Sequence, residues 1–131
     1  MSLELEILVP DGVVVRTRIR RLQAADPSGR FGIWPGHEAF LTLLVPCVLF
    51  FTEESGRERY AAADGGVCLV EKRQVSVVTR EAVLADRLEN VADAAAAMLA
   101  ARRRLEKTAQ TEFAQLQISL LKELRQVERN K

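Results

Sequence analysis

Beyond Gly66 this 131-residue sequence contains neither glycine nor proline, although seven glycines and four prolines are packed into the half before it. Nothing in the second half obliges the chain to turn, so a change of architecture near the middle is expected. Histidine is scarcer still. His37 stands alone, and a nucleophile–base pair or a histidine metal site needs more than one such residue close together. Pro35-Gly36-His37-Glu38 therefore reads as a turn followed by a polar cap. No catalytic, cofactor or metal residue is expected anywhere in the chain. The two cysteines lie in Pro-Cys47-Val-Leu and Val-Cys68-Leu-Val without CxxC spacing. They read as small, buried, reduced core residues, with a disulfide or a reactive thiol as the alternatives. Charge of one sign is also missing: 19 basic against 18 acidic side chains give +1, no signature of nucleic acid or an anionic membrane. The longest apolar run, Phe40 to Phe51, covers roughly twelve residues and is interrupted by Thr42 and Pro46, short of the ~18 of a spanning helix, so no direct membrane insertion is expected. No basic-then-apolar leader precedes Leu3, and the start reads as mature structure of a protein that is not secreted.

What is present falls into two grammars. From Leu3 to about Leu84 apolar residues alternate with polar ones, the period of half-buried antiparallel strands. The strands are separated by Pro10-Asp11-Gly12, Asp26-Pro27-Ser28-Gly29, Pro35-Gly36, Glu53-Glu54-Ser55-Gly56 and Asp64-Gly65-Gly66, each read as a turn. Many short strands imply a sandwich or barrel. In the second strand Val13, Val15, Thr17 and Ile19 face inward, leaving Arg16, Arg18 and Arg20 as a solvated basic row. Asp64-Gly65-Gly66-Val67 matches neither GxGxxG nor GxxxxGK[ST], so it is no nucleotide loop.

From Asp86 the period becomes helical. Asp86-Arg87-Leu88-Glu89 has the Asp-x-x-Glu form of a capping box, predicting a helix that starts there. Leu88, Val91, Ala92, Ala95, Met98, Leu99 and Leu105 form its apolar side. A second helical stretch over 111–129 carries Phe113, Leu116, Leu120, Leu124 and Val127 in one stripe and Ala114, Ile118 and Leu121 in another, too wide for one hairpin seam. Only Thr108-Ala-Gln-Thr111 offers a soft break. A two-helix hairpin and one long helix both satisfy the sequence. Lys122, Arg125 and Arg129 follow Ile118 along one line, either a solvated face or a docking strip for an acidic partner. Arg102-Arg103-Arg104 with Lys107 lies in an arm whose only aromatic is Phe113, which argues against nucleic-acid binding.

In order, Gly29-Arg30-Phe31-Gly32-Ile33-Trp34-Pro35-Gly36-His37, then Asp64-Gly65-Gly66 before an apolar strand, then a helical tail without glycine or proline, resemble the epsilon subunit of F-type ATP synthases across essentially the whole chain. The G-x-x-G-I-[aromatic]-P-G-H string is the specific part. The resemblance implies an α+β chain, with a flattened antiparallel β-sandwich over 1–84 and a helical domain over 85–131, a hairpin or an extended arm. It implies a non-catalytic subunit of the F1 central rotor stalk of a proton- or sodium-translocating enzyme, peripheral at the cytoplasmic face of the bacterial inner membrane. The partners implied are the gamma subunit and the c-ring loops, with Arg30, Phe31, Ile33, Trp34 and His37 as contacts. When the arm extends, Ile118, Lys122, Arg125 and Arg129 would meet an acidic segment of a catalytic beta subunit and restrain ATP hydrolysis.

Two positions depart from the family pattern. Some bacterial relatives bind ATP through [IL]-D-x-x-R-A; the best register here keeps the aspartate as Asp93 but has Ala96 for the arginine, so ATP sensing is not expected. Arg30 occupies a loop position that is commonly acidic. A different kind of protein remains open, a free-standing β-domain adaptor whose basic arm recruits an acidic partner.

Overall fold

The computed structural model describes residues 2–129, without the side chains of residues 110, 113 and 120–129. Seven strands precede one helix: β1 (Leu3–Val9), β2 (Gly12–Asp26), β3 (Gly29–Ile33), β4 (Phe40–Glu53), β5 (Glu58–Glu71), β6 (Gln74–Val78), β7 (Ala82–Ala85) and α1 (Glu89–Arg129). Two compact units divide the chain, Met1–Leu99 and Ala100–Lys131. The division falls later than residue 84 because the first turns of α1 belong with the strands.

The strands run β1-β6-β5-β4-β2-β3, and β1 pairs with β2 as well, which closes the order on itself; β7 adds to β5. The three long strands each serve two layers. Residues 12–19 of β2 pair with β1, and residues 22–26 with β3. The first half of β5 pairs with β7 and the second with β6. One layer is thus the start of β4, the end of β5, β6, β1 and the start of β2. The other is β3, the end of β2, the end of β4, the start of β5 and β7. Between them Leu3, Leu5, Ile7, Ile19, Leu22, Ile33, Leu49, Phe51, Val70, Val75 and Val77 are fully buried, the apolar core of a sandwich.

A strand that changes layers must change which side chains face in. In β2 the core residues are Val15 and Ile19, then Leu22 and Ala24, with a register shift between Ile19 and Arg21. Val13, expected inside, is 48% exposed near the hairpin end. In β4 they are Leu44, then Cys47, Leu49 and Phe51; in β5, Ala61 and Ala63, then Cys68 and Val70. The switch in β5 falls on Gly65 and Gly66, at φ 74° and 113°. A Cβ on Gly66 would lie 2.0 Å from the Val78 carbonyl oxygen. Asp64-Gly65-Gly66 is therefore not a turn between strands, as its composition suggested. It is a bend inside one continuous strand, where positive φ lets β5 leave β7 for β6. Pro10-Asp11, Pro27-Ser28, Pro35-Gly36 and Glu54-Ser55 do turn, and so does Lys72-Arg73, which carries no glycine although Lys72 has φ 54°.

The helix also begins later than expected. Asp86 does not cap it: its carboxylate takes Arg57 Nη2 at 2.8 and 2.7 Å, and α1 starts at Glu89. From there it runs through Thr108–Thr111 without interruption, the Thr111 hydroxyl donating back to the Lys107 carbonyl at 3.0 Å, a bond threonine makes inside helices. Of the two arrangements the sequence allows, the structure takes the continuous helix. Its base rests on the outer face of the second layer, where Val91 and Met98 pack with Ala62, Val48, Tyr60 and Val83.

Candidate functional site

The segment carrying the family-like string begins at the turn after β2. Asp26 Oδ1 accepts from the Ser28 amide at 2.9 Å and from its hydroxyl, and Oδ2 accepts from Thr42 Oγ1 at 2.8 Å. These bonds tie the turn to β4, and the hydroxyls of Ser28, then Thr42, hold the Asp26 carboxyl below its ordinary range. Along β3, residues then alternate. Phe31 and Ile33 face the core, Ile33 completely buried and Phe31 edge-on to Phe40 at 5.5 Å. Arg30 lies on the other side, where its Nη2 donates to the Val48 carbonyl at 3.3 Å.

Gly32 shares Arg30's side of the strand, and a Cβ there would meet the Trp34 ring at 2.4 Å. The outer edge of the indole thus covers the glycine, with Trp34 51% exposed. The missing side chain gives the ring room to lie there, and the ring is left half in water. The Pro35-Gly36 turn closes with His37 N donating to the Trp34 carbonyl at 3.1 Å. His37 Nδ1 lies 2.7 Å from the Glu38 carbonyl oxygen, an acceptor only, so Nδ1 bears the proton. Its ring packs edge-on to Phe40 at 5.7 Å. His37 braces a corner.

Of the five residues expected to make contact here, the structure places Arg30 and Trp34 outward, Phe31 and His37 half-buried and Ile33 in the core. Ile118, on the arm, is 54% exposed. Lys122, Arg125 and Arg129 lie outside the residues whose side chains are described. Asp93 and Ala96 are both exposed on α1, away from its seated Val91 and Met98.

A larger feature escaped the sequence. On the outer face of the first layer, Leu43 pairs with Val67, Val67 with Val78, Val78 with Leu8 and Leu8 with Val13. One rung of five strands is wholly apolar. Leu43 is 66% exposed and Val78 50%. Leu41, also 66% exposed, extends the row, and Pro27, Leu41, Thr42, Leu43 and Val67 line a shallow hollow beside the Asp26–Gly29 turn. Farther along the same face the surface turns polar, with Glu6 paired to Arg16 and reached by Gln74. Such a contiguous apolar strip with a polar flank marks an interaction surface. Its signals in the sequence are apolar runs such as Ile7-Leu8-Val9, Val13-Val14-Val15, Leu43-Leu44-Val45 and Val77-Val78, which break alternation and so offer apolar residues to both faces. Which residues of other strands share its rung is a matter of register, and no composition reveals it.

Residues 2–85 match the family model of the ATP synthase delta/epsilon chain β-sandwich domain. The chain is 40% identical over 89 residues to ATP synthase epsilon chain 2 of Paraburkholderia xenovorans, an alignment covering 66% of this chain and 64% of that protein. The chain thus spans just under two thirds of that relative's length. Similarity to the ATP synthase epsilon chain of an Exiguobacterium species is lower, 29%, but spans 92% of this chain and 90% of the relative, the helix included. Among solved structures, a chain of the cryo-EM structure of Euglena gracilis mitochondrial ATP synthase with OSCP, F1 and c-ring shares the fold, with a TM-score of 0.61 and 24% identity over 71% of this chain and 61% of that one. With its bent long strands, its glycine-seated tryptophan and its sandwich-then-helix order, this chain belongs to the ATP synthase delta/epsilon family.

Proposed function

We propose that this chain is the epsilon subunit of the central rotor stalk of a proton- or sodium-translocating ATP synthase, a non-catalytic part held peripherally at the cytoplasmic face of a bacterial inner membrane. The observation that carries the reading is the uncovered apolar rung Leu43, Val67, Val78, Leu8, Val13 beside the Asp26–His37 corner. The second layer carries the base of α1 on its outside, whereas on this layer Leu43 and Val78 are half exposed or more. A stalk subunit must transmit torque, which calls for a broad rigid contact, and a closed sandwich supplies one. Burying the five side chains would contribute on the order of 1 kcal/mol each after ordering costs. Five such contributions alone correspond to submillimolar affinity, and the Trp34 corner adds to the seat on the gamma subunit. Arg30, Trp34 and His37, presented from the neighbouring corner with Phe31 and Ile33 anchoring them from inside, would face the base of gamma or the c-ring loops. Trp34 is an anchor type enriched at interfaces.

In this reading the arm restrains ATP hydrolysis by laying Ile118, Lys122, Arg125 and Arg129 against an acidic segment of a catalytic beta subunit. The exposure of Leu105, Leu116 and Ile118, between 54% and 65%, supports an arm that needs a second surface. The test is purification of the tagged chain from its native membranes under mild detergent. Gamma and c-ring subunits should copurify, and replacing Arg30 and Trp34 should weaken reassembly onto stripped membranes. Recovery of an unrelated acidic partner with no ATP synthase subunits would favour an adaptor and overturn the proposal.

A further inference from the structure

Where β7 passes into α1, a group of charges is used by neither the core nor the docking face. Arg57, in the hairpin joining β4 to β5, reaches both oxygens of Asp86. Arg59 Nε lies 3.3 Å from Asp86 Oδ1, and its Nη1 lies 3.2 Å from Glu53 Oε1. The buried Nε has no well-aligned hydrogen bond, so its attraction to Asp86 is ionic. Asp86 also heads the sequence Asp-x-x-Glu, the pattern of a helix cap, yet the first helical residue is Glu89. In place of a cap there are tight backbone turns, Asn90 N to the Arg87 carbonyl at 3.1 Å and Val91 N to the Leu88 carbonyl at 3.0 Å. One carboxylate faces two tasks and cannot do both.

We infer that Asp86 is a two-position switch at the root of the arm: on Arg57 and Arg59 it clamps the base of α1 to the sandwich, and released from them it caps a helix lengthened toward Arg87. The seat beneath it is small. Among the described residues, Val91 and Met98 are the sizeable α1 side chains that are buried, beside Ala94 and Ala95, so even the modest contribution of a partly exposed ion cluster counts in the hold. The inference rests on the arm being mobile, but its test uses the isolated chain, and its outcome is separate from any effect on hydrolysis.

Ala62 is fully buried beneath the helix base. In an Ala62→Cys background, the alkylation rate at that position reports how often the base lifts. Asn caps a helix about as well as Asp but carries no charge for the arginines. Asp86→Asn and Arg57→Ala should each raise the rate, by about two- to tenfold for a partly exposed cluster. Amide exchange separates a switch from a plain ion pair. In Arg57→Ala the Leu88 and Glu89 amides should become more protected than in wild type, as Asp86 takes up the cap, and in Asp86→Ala they should not. An alkylation rate unchanged in both single variants, or no added protection of Leu88 and Glu89 in Arg57→Ala, would overturn the inference.

Discussion

Gly66 and Gly32 both lack room for a side chain, but what stands in the way differs. At Gly66 the obstacle is the Val78 carbonyl, part of the backbone, and φ is 113°. Gly66→Ala should therefore cost more than about 3 kcal/mol in urea unfolding, through strain and a broken β5–β6 rung. At Gly32 the obstacle is the free end of Trp34, so Gly32→Ala should move the ring instead of the strand. A shift in emission of this single tryptophan is expected, with a stability loss below about 1 kcal/mol. The Asp26 carboxyl, lowered by Ser28 and Thr42, gives the turn a pH signature. A depressed pKa stabilises the fold fully above the ordinary carboxylate range and loses that stabilisation as pH falls through the lowered value. Asp26→Asn should flatten the acid limb of the stability profile and leave its neutral plateau lower. Cys47 and Cys68 are buried and unpaired, and burial pushes the Cys68 thiol up to about 11. At about pH 8 only about one part in a thousand is thiolate, so neither thiol should react with an aromatic disulfide reagent until the protein is unfolded.

At the scale of elements, the strands were legible because Leu3-Leu5-Ile7-Val9 and its successors alternate, and alternation is what a half-buried strand requires. Their length was not legible. β2, β4 and β5 each invert their inward parity midway, and a sequence containing such an inversion reads as two strands with a turn between, as Asp64-Gly65-Gly66 did. Lys72 adopts positive φ without the glycine that would have announced a turn. The start of α1 was misplaced because a capping pattern states what Asp86 could bind locally, and Arg57, 29 residues earlier, lies outside any local window. In α1 the absence of breakers left hairpin and single helix equally allowed, and here the helix continues. That arm carries its own prediction. Truncation after Leu105 should leave the melting temperature of the sandwich within a few degrees, since Val91 and Met98 stay seated, and should raise ATP hydrolysis by the reconstituted complex. Replacing Lys122, Arg125 and Arg129 by alanine should raise hydrolysis less. Inhibition by the intact chain should fade with salt as the Debye length falls below about 10 Å. Equal rates for all three proteins would remove the inhibitory role.

On the scale of the whole molecule, the sandwich has two outer faces; the base of α1 seats on one, and the apolar rung lies exposed on the other. The family string was readable in the sequence because it is local; it led to Arg30, Trp34 and His37 and also to Ile33, whose burial makes it a support of that corner. The apolar rung was unreadable because Leu8, Val13, Leu43, Val67 and Val78 are brought together by four pairings across five strands and by no motif. If the rung is the seat on the rotor, it should dominate the affinity. The direct measurement is calorimetric titration of the chain against the gamma subunit from the same organism, wild type beside Leu43→Asp combined with Val78→Asp. Both side chains are half exposed or more, so the variant should melt as wild type does. Two charges forced into an apolar contact should weaken binding by about a hundredfold or more, at about 1.4 kcal/mol per factor of ten. Equal affinity of a normally folded variant would contradict the account, and so would a wild-type chain that does not bind gamma.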